Sequence, residues 1–328
     1  MANINAGVLS TGRAFPEGVL TNADLEMMVD TSDDWITTRT GIKQRHKAGE
    51  GEYTSLFAVR AARQAIERAR IDPSEVDLLI CATVTPDQLL PATACLIQAE
   101  LGAHRAAAFD LVAACSGFIY GVTLANQMIR AKQARYALVI GAEILTRYVD
   151  YTDRTTCVIF GDGAGAAILG PVESERGILA ARIRSDGRFA EQLHATGGGT
   201  RLGTTAQTLN SGLHFYKMRG NELFKVAVRS MTDISLEVLK EANLTPDDIH
   251  LFVPHQANQR ITEAVADKLG VDSSRVFSNI AMHGNTSSAS IPIALDECVE
   301  TERLHDRDLV LMTSFGGGAT WGAVLMRW

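Results

Sequence analysis

Residues 71–80, Ile-Asp-Pro-Ser-Glu-Val-Asp-Leu-Leu-Ile, are matched position by position by residues 244–253, Leu-Thr-Pro-Asp-Asp-Ile-His-Leu-Phe-Val, at an offset of 173. Each segment follows an amphipathic helical pattern, over Thr54–Ala69 and Glu222–Ala242, and each runs into an apolar strand. A second pair recurs in the same order: Phe160-Gly-Asp-Gly-Ala and Phe315-Gly-Gly-Gly-Ala, each leading into another apolar run. Echoes kept in order imply a duplicated unit. Short apolar runs at Asp77–Val84, Tyr136–Ala142 and Leu309–Thr313 read as strands buried on both faces. They alternate with helical stretches such as Asn258–Leu269, which makes the class α/β. Two pseudo-symmetric halves are expected, 1–172 and 173–328. No Pro/Gly/Ser-rich linker separates them, so they should pack as one body.

Charge and cysteine usage narrow the function. The formal net charge is −7, and Lys and Arg are scattered without a basic run, so nucleic-acid binding is not expected. The five cysteines, Cys81, Cys95, Cys115, Cys157 and Cys298, stand far apart with no CxxC. Neither a disulfide framework nor a metal site is indicated. The start lacks the pattern of a signal peptide, and the uncharged stretch Leu111–Met128 is too short and polar for a bilayer span. It reads as a buried helix. A cytoplasmic protein without membrane association is the expectation.

Three residues stand out, two where an apolar strand meets a helix start and one in a Gly/Asn/Ser turn that opens a helix. Cys115 sits in Asp110-Leu-Val-Ala-Ala-Cys-Ser-Gly-Phe, His255 in Val253-Pro-His-Gln-Ala-Asn, and Asn285 in His283-Gly-Asn-Thr-Ser-Ser-Ala-Ser. Alone, each has a plain explanation: a small buried thiol, a satisfied core histidine, a helix cap. Together they differ. By the internal repeat, Cys115 opens a helix in one half and Asn285 opens its counterpart, while His255 follows the echoed strand. All three should face one cleft. Unpaired N–H groups and the dipole at the helix start should favour the Cys115 thiolate. The run Gly316-Gly-Gly318 can bring a backbone N–H close to a ligand oxygen. The Gly161-Asp-Gly-Ala-Gly stretch precedes a strand-like run rather than a helix, so dinucleotide binding is rejected there.

With these motifs in view, the chain closely resembles the β-ketoacyl-[acyl-carrier-protein] synthase III family of the thiolase superfamily. The resemblance spans essentially the whole chain. It rests on Trp35-Ile-Thr-Thr-Arg-Thr-Gly-Ile, the Cys115 segment, Phe160-Gly-Asp-Gly-Ala-Gly-Ala, His255-Gln-Ala-Asn, Gly284-Asn-Thr-Ser-Ser-Ala-Ser and Ser314-Phe-Gly-Gly-Gly-Ala-Thr-Trp-Gly. It implies a homodimer with the five-layered αβαβα thiolase fold and no metal or other cofactor. It implies decarboxylative condensation of an acyl-CoA primer, typically acetyl-CoA, with malonyl-acyl-carrier-protein, the step that initiates type II fatty acid synthesis.

Roles follow from the same resemblance. Cys115 would be acylated, with His255 and Asn285 completing a triad, and the N–H groups of Cys115 and Gly318 would form the oxyanion hole. Trp35 and Arg154 would sandwich the adenine of coenzyme A. Thr31 and Arg39 would lie at its nucleotide end, with Gly220, Phe224 and Asn258 along the pantetheine arm. Lys225, Arg260 and Lys268 would dock the acidic carrier protein. Leu90 stands where the family often has a phenylalanine that enters the partner's acyl pocket, so primer length does not follow from the resemblance. Asp267 stands where a second docking lysine is sometimes found.

Three rival readings remain open at this point. A ketosynthase of specialised metabolism would differ in its primer. A papain-like protease also uses Cys, His and Asn, but the local context around its cysteine is missing here. An inactive homologue would serve only to bind. A thiolase would need a second cysteine near its Gly-rich end, and Cys298 lies inside an expected helix instead.

Overall fold

The structure is a computed structural model that describes residues 5–173 and 175–328. Nine strands form its two large sheets: β1 (Asn5–Ala14), β2 (Val76–Ala82), β3 (Ala107–Leu111), β4 (Tyr136–Ile144), β5 (Asp162–Val172), β6 (Gly177–Ser185), β7 (Leu251–Pro254), β8 (Leu309–Gly316) and β9 (Thr320–Arg327). The helices that matter for the site are α1 (Asp33–Thr40), α2 (Thr54–Ala69), α3 (Thr93–Leu101), α4 (Gly117–Arg130), α5 (Gly220–Glu241), α6 (Gln259–Leu269) and α7 (Ser290–Glu300).

The first sheet has the order β1-β5-β4-β2-β3 and the second β6-β9-β8-β7. Their pairings correspond. β1–β5 and β5–β4 are antiparallel, as are β6–β9 and β9–β8; β4–β2 and β8–β7 are parallel. The place of β3 is taken in the second sheet by a single parallel bridge from Phe252 to Val276.

Both sheets are covered on both faces, and the period-2 alternation of a strand sorts its residues into separate layers. In β2, Leu78 and Ile80 point to the centre and pack with Phe118, Ile119 and Val122 of α4 and with Ile291 and Leu295 of α7. Leu79 and Cys81 point outward, against Phe57, Ala61 and Ala65 of α2 and Ile97 of α3. In the second sheet Val310 and Met312 join the central layer. Leu309 and Leu311 pack outward on Val228, Met231 and Val238 of α5 and Val265 of α6. The layers are therefore α2/α3, sheet, α4/α7, sheet, α5/α6, the five-layered αβαβα arrangement. Continuous apolar strands are what two covered faces require.

The echoed segments fold alike. Pro73–Glu75 and Pro246–Asp248 are single 3₁₀ turns in which an acidic side chain reaches back to the cap residue's backbone N–H. Glu75 accepts from Asp72 N–H at 3.0 Å, and Asp248 from Thr245 N–H at 2.7 Å. Most expected elements fall within two residues of those observed. Leu111–Met128 is the exception: it is the end of β3, a 3₁₀ turn over Ala114–Ser116 and then α4, rather than one helix.

Candidate active site

Cys115 lies in that 3₁₀ turn, between β3 and α4. The chain must reverse sharply there, and Ala114 is forced to a left-handed φ of 46°. The turn presses against β8, where a Cβ on Gly316 would stand 2.7 Å from the Cys115 nitrogen, so only glycine fits. The thiol is buried. Burial raises its pKa, and the nearby Glu143 adds to this; the Ser287 hydroxyl and the N–H groups of Cys115 and Gly317 oppose it. Burial wins, and the thiol is pushed up to about 12. The expectation of a resting thiolate is thereby corrected: the helix-start donors are present, but desolvation of the anion outweighs them.

In the glycine run, where the resemblance implies that Gly318 donates to the oxyanion, the N–H that meets the sulfur is that of Gly317. Gly318 lies at φ 81° in the tight turn from β8 to β9 and lines the second cavity with Cys115 and Gly317.

His255 follows β7 directly and is buried. Burial alone lowers its pKa to about 3, so the ring is neutral across the ordinary pH range. Nδ1 lies 2.6 Å from Ser290 Oγ, while Nε2 has no hydrogen-bond partner among the described residues. Asn285 is clamped through its backbone: its N–H donates to Ile159 O at 2.9 Å and its carbonyl accepts from Gly161 N–H at 3.0 Å. A Cβ on Gly161 would meet His283 O at 2.4 Å. The Phe160-Gly-Asp-Gly motif therefore serves as a latch for the Asn285 turn. Asn285 Oδ1 accepts from Ser287 N–H at 2.8 Å, which leaves the Nδ2 end for a ligand.

Cys115, His255 and Asn285 line one apolar-walled cavity of about 120 Å³, together with Gly220, Phe224 and Asn258. A second cavity, about 450 Å³, opens on the other side of Cys115 between Val84, Leu145, Phe160, Leu193 and Tyr216. Phe160, Leu193 and Gly317 line both. The sulfur thus sits where two apolar spaces meet.

The remaining expected positions form two groups outside the cavity. Trp35 carries the guanidinium of Arg39 at 4.9 Å and that of Arg154 at 5.0 Å from its ring centre. Arg154 rests on the indole, held by Asp30 O at 2.8 Å, so the two close on each other. Thr31 has a buried hydroxyl with no partner among the described residues. This group adjoins the cavity mouth, because Asn258 Nδ2 donates to Arg39 O at 3.0 Å. Lys225, Arg260 and Lys268 are exposed on α5 and α6, and Arg260 lies over the Phe224 ring at 5.8 Å. Asp267 is exposed beside them. Leu90 lines neither cavity of its own chain and is 85% exposed, beside Leu89 at 92%.

Sequence reasoning missed Ser287, Ser290 and Gly317. The hydroxyl-rich Thr286-Ser-Ser-Ala-Ser run was the available signal, but nothing in it distinguishes which hydroxyl faces the sulfur and which the imidazole. Among the described residues, no group of three or more His, Cys, Asp or Glu side chains is placed to hold a metal ion. Among them, no helix is long and apolar enough to cross a membrane.

Comparison with known proteins accounts for this geometry. Residues 109–187 match the family model for 3-oxoacyl-[acyl-carrier-protein] synthase III, and residues 239–328 match the model for its C-terminal part. The chain is 52% identical over 328 residues to the beta-ketoacyl-[acyl-carrier-protein] synthase III of Roseiflexus sp., covering 100% of this chain and 99% of the relative. The crystal structure of the Aquifex aeolicus 3-oxoacyl-[acyl-carrier-protein] synthase III superposes with a TM-score of 0.92 at 49% identity, covering 98% of this chain and 100% of that one. The priming β-ketosynthase of the R1128 polyketide pathway also gives 0.92, at 34% identity, covering 99% and 97%. The chain belongs to the 3-oxoacyl-[acyl-carrier-protein] synthase III family.

Proposed function

We propose that this enzyme condenses an acyl-CoA primer, acetyl-CoA in the first instance, with malonyl-acyl-carrier-protein to give 3-ketoacyl-acyl-carrier-protein and carbon dioxide. This is an acyl transfer followed by a decarboxylative Claisen condensation, and it initiates type II fatty acid synthesis. The observation that carries the reading is the common cavity of Cys115, His255 and Asn285. The close relatives favour fatty acid initiation over specialised metabolism, since they carry the synthase III name at about half identity over full length.

In the first stage the Cys115 sulfur attacks the primer carbonyl. The N–H groups of Cys115 and Gly317 receive the oxyanion, and loss of one such donor typically costs ~2.7–4 kcal/mol of barrier. The thioester bond to coenzyme A breaks, the thiol proton leaves with the CoA sulfur, and the acyl group stays on Cys115. The cavity beyond the sulfur, toward Leu145 and Tyr216, suits the acyl chain. In the second stage the malonyl thioester enters the first cavity. His255 Nε2 and Asn285 Nδ2 donate to its carbonyl oxygen as carbon dioxide departs; the resulting carbanion attacks the acyl carbonyl, the bond to the Cys115 sulfur breaks, and the released thiolate takes up a proton from solvent. A buried neutral imidazole and a carboxamide supply hydrogen bonds without demanding a counter-ion.

Coenzyme A would enter past Trp35, Thr31 and Arg39, displacing Arg154 from the indole face so that the adenine lies between them, with Gly220, Phe224 and Asn258 along the pantetheine. Lys225, Arg260 and Lys268 would meet the acidic carrier. We infer a cytoplasmic homodimer; the exposed Leu90 supports the dimer, in which it would enter the partner's acyl pocket. The division into halves 1–172 and 173–328 is supported by the end of one sheet at Val172 and the start of the next at Gly177.

The test is transfer from radiolabelled acetyl-CoA. Wild type should carry one label on Cys115, located by mass spectrometry, and Cys115→Ala should carry none. Labelling of Cys115→Ala would end the assignment. A panel of acyl-CoAs in the same assay defines the primer range.

A further inference from the structure

The two nitrogens of the His255 ring have unequal surroundings. Nδ1 meets Ser290 Oγ at 2.6 Å; Nε2 is buried, has no hydrogen-bond partner among the described residues and belongs to a residue that lines the cavity with Cys115. Ser290 is buried at the first position of α7. Its oxygen also accepts from the Gln256 N–H at 3.3 Å. A hydroxyl has one hydrogen and two lone pairs. A serine within a helix can turn its hydrogen back to the carbonyl four residues earlier. Among the described residues, Ser290 makes no such bond; its oxygen bonds only to His255 and Gln256.

With the Gln256 N–H on one lone pair, the hydroxyl hydrogen has one acceptor within reach, the Nδ1 of a neutral imidazole. Nδ1 is then unprotonated and Nε2 carries the proton. The opposite tautomer would put the Nδ1 hydrogen on the remaining lone pair and strand the hydroxyl hydrogen in a buried site, an arrangement that costs a full unmade bond. We propose that Ser290 is a positioning residue: its hydroxyl fixes the His255 tautomer so that an N–H, not a lone pair, faces the reacting carbonyl oxygen. The proposal rests on the reading of His255 given above and assigns it one role. His255 is a donor to the malonyl carbonyl in the decarboxylation half of the cycle, and in this tautomer it takes no proton from Cys115.

Nitrogen-15 NMR of the histidine-labelled enzyme reads the tautomer directly. His255 of the wild type should show a protonated Nε2 and an unprotonated Nδ1. Ser290→Thr, which keeps the hydroxyl, should show the same pattern, and Ser290→Ala should lose it. In separate half-reactions, Ser290→Ala should keep acetyl transfer to Cys115 within about twofold. Its malonyl decarboxylation should fall by on the order of tenfold to a hundredfold, the scale seen when the partner that orients a metal-bound imidazole is removed. Ser290→Thr should restore it. A wild-type spectrum with the proton on Nδ1 would overturn the proposal whatever the activities. So would an equal loss in both half-reactions, which marks mere loosening of the fold. If instead the spectra are as expected but His255→Ala decarboxylates normally, the role of Ser290 on the tautomer stands and the reading of His255 fails.

Discussion

The turn that carries Cys115 has a twin. Ala114–Ser116 leads into α4 and Ser287–Ala289 into α7, and both are 3₁₀ turns entered through a left-handed residue, Ala114 at φ 46° and Ser287 at φ 49°. Each is pressed by a glycine of the facing strand. A Cβ on Gly316 would meet the Cys115 nitrogen at 2.7 Å, and one on Gly141 would meet the Ser288 carbonyl oxygen at 2.2 Å. The backbones match, yet the surroundings of the two middle residues do not. Cys115 opens onto both cavities, while the Ser288 hydroxyl is closed in by Ala82 O at 2.8 Å and Glu143 Oε1 at 2.9 Å. Duplication thus supplied two equivalent sharp turns. One became a nucleophile site, and the other became a support: Ser287 faces the Cys115 sulfur, Asn285 lines the same cavity, and Ser290 holds His255.

The largest effect should come from moving the thiol between the twins. Cys115→Ala combined with Ser288→Cys keeps a buried thiol at a 3₁₀ turn before a helix but removes it from the cavities. Acyl labelling should vanish in the single and the double variant alike, as read by intact mass after incubation with acetyl-CoA. A labelled Cys at position 288 would show that turn geometry alone makes a nucleophile and would break the contrast.

The two glycines come next. Gly141→Ala drives a methyl into backbone, and overpacking of this kind costs typically about 1–3 kcal/mol and occasionally more. Gly316→Ala has the looser clash but pushes on the Cys115 N–H itself. Denaturant unfolding should therefore rank Gly141→Ala as the less stable variant, and acyl-transfer rates should rank Gly316→Ala as the less active of the folded pair. A reversed order in both measurements would mean that the turns are not mechanically separate.

The sequence disclosed the duplication because the capping turns before β2 and β7 need an acid three residues after the cap, a pattern that survives divergence. It disclosed Cys115 and His255 because each follows the end of a strand, and Asn285 because the repeat pairs its turn with that of Cys115. It could not disclose that burial outweighs the donors at Cys115, since the balance depends on how fully α4, β8 and the Ser287 turn exclude water. Nor could it choose Gly317 over Gly318: three consecutive glycines are alike on paper, and only the turn from β8 to β9 decides which N–H faces the sulfur. Ser287 at a positive φ carries no sequence signal, because a serine is seldom needed there.

The thiol balance gives a pH test. The Cys115 thiol is raised to about 12, so its thiolate fraction grows tenfold per pH unit throughout the accessible range. Alkylation of Cys115 by iodoacetamide should keep rising to about pH 10 without a plateau, whereas an unperturbed thiol levels off near 8.5–9. A plateau below pH 9 would mean that the donors outweigh burial after all.

The smallest effects should separate the two left-handed residues. A non-glycine residue in that conformation costs roughly 1–2 kcal/mol, and glycine relieves this but brings its own entropic cost of roughly 0.5–1 kcal/mol. Ala114→Gly and Ser287→Gly should therefore each change unfolding free energy by under ~1 kcal/mol in chemical denaturation. Their effects on chemistry should differ. Ala114→Gly removes a methyl group and leaves the sulfur's surroundings intact. Ser287→Gly removes the hydroxyl that lowers the Cys115 pKa, so the thiolate becomes scarcer and alkylation at a fixed alkaline pH slower, by roughly the fewfold to tenfold that one hydrogen bond of about 0.5–1.5 kcal/mol represents. Ser287→Gly still retains the Asn285 contact, because that bond uses the backbone N–H of residue 287. Equal alkylation rates in the two variants would show that the second turn steadies the first through packing alone, without a hydrogen bond to its sulfur.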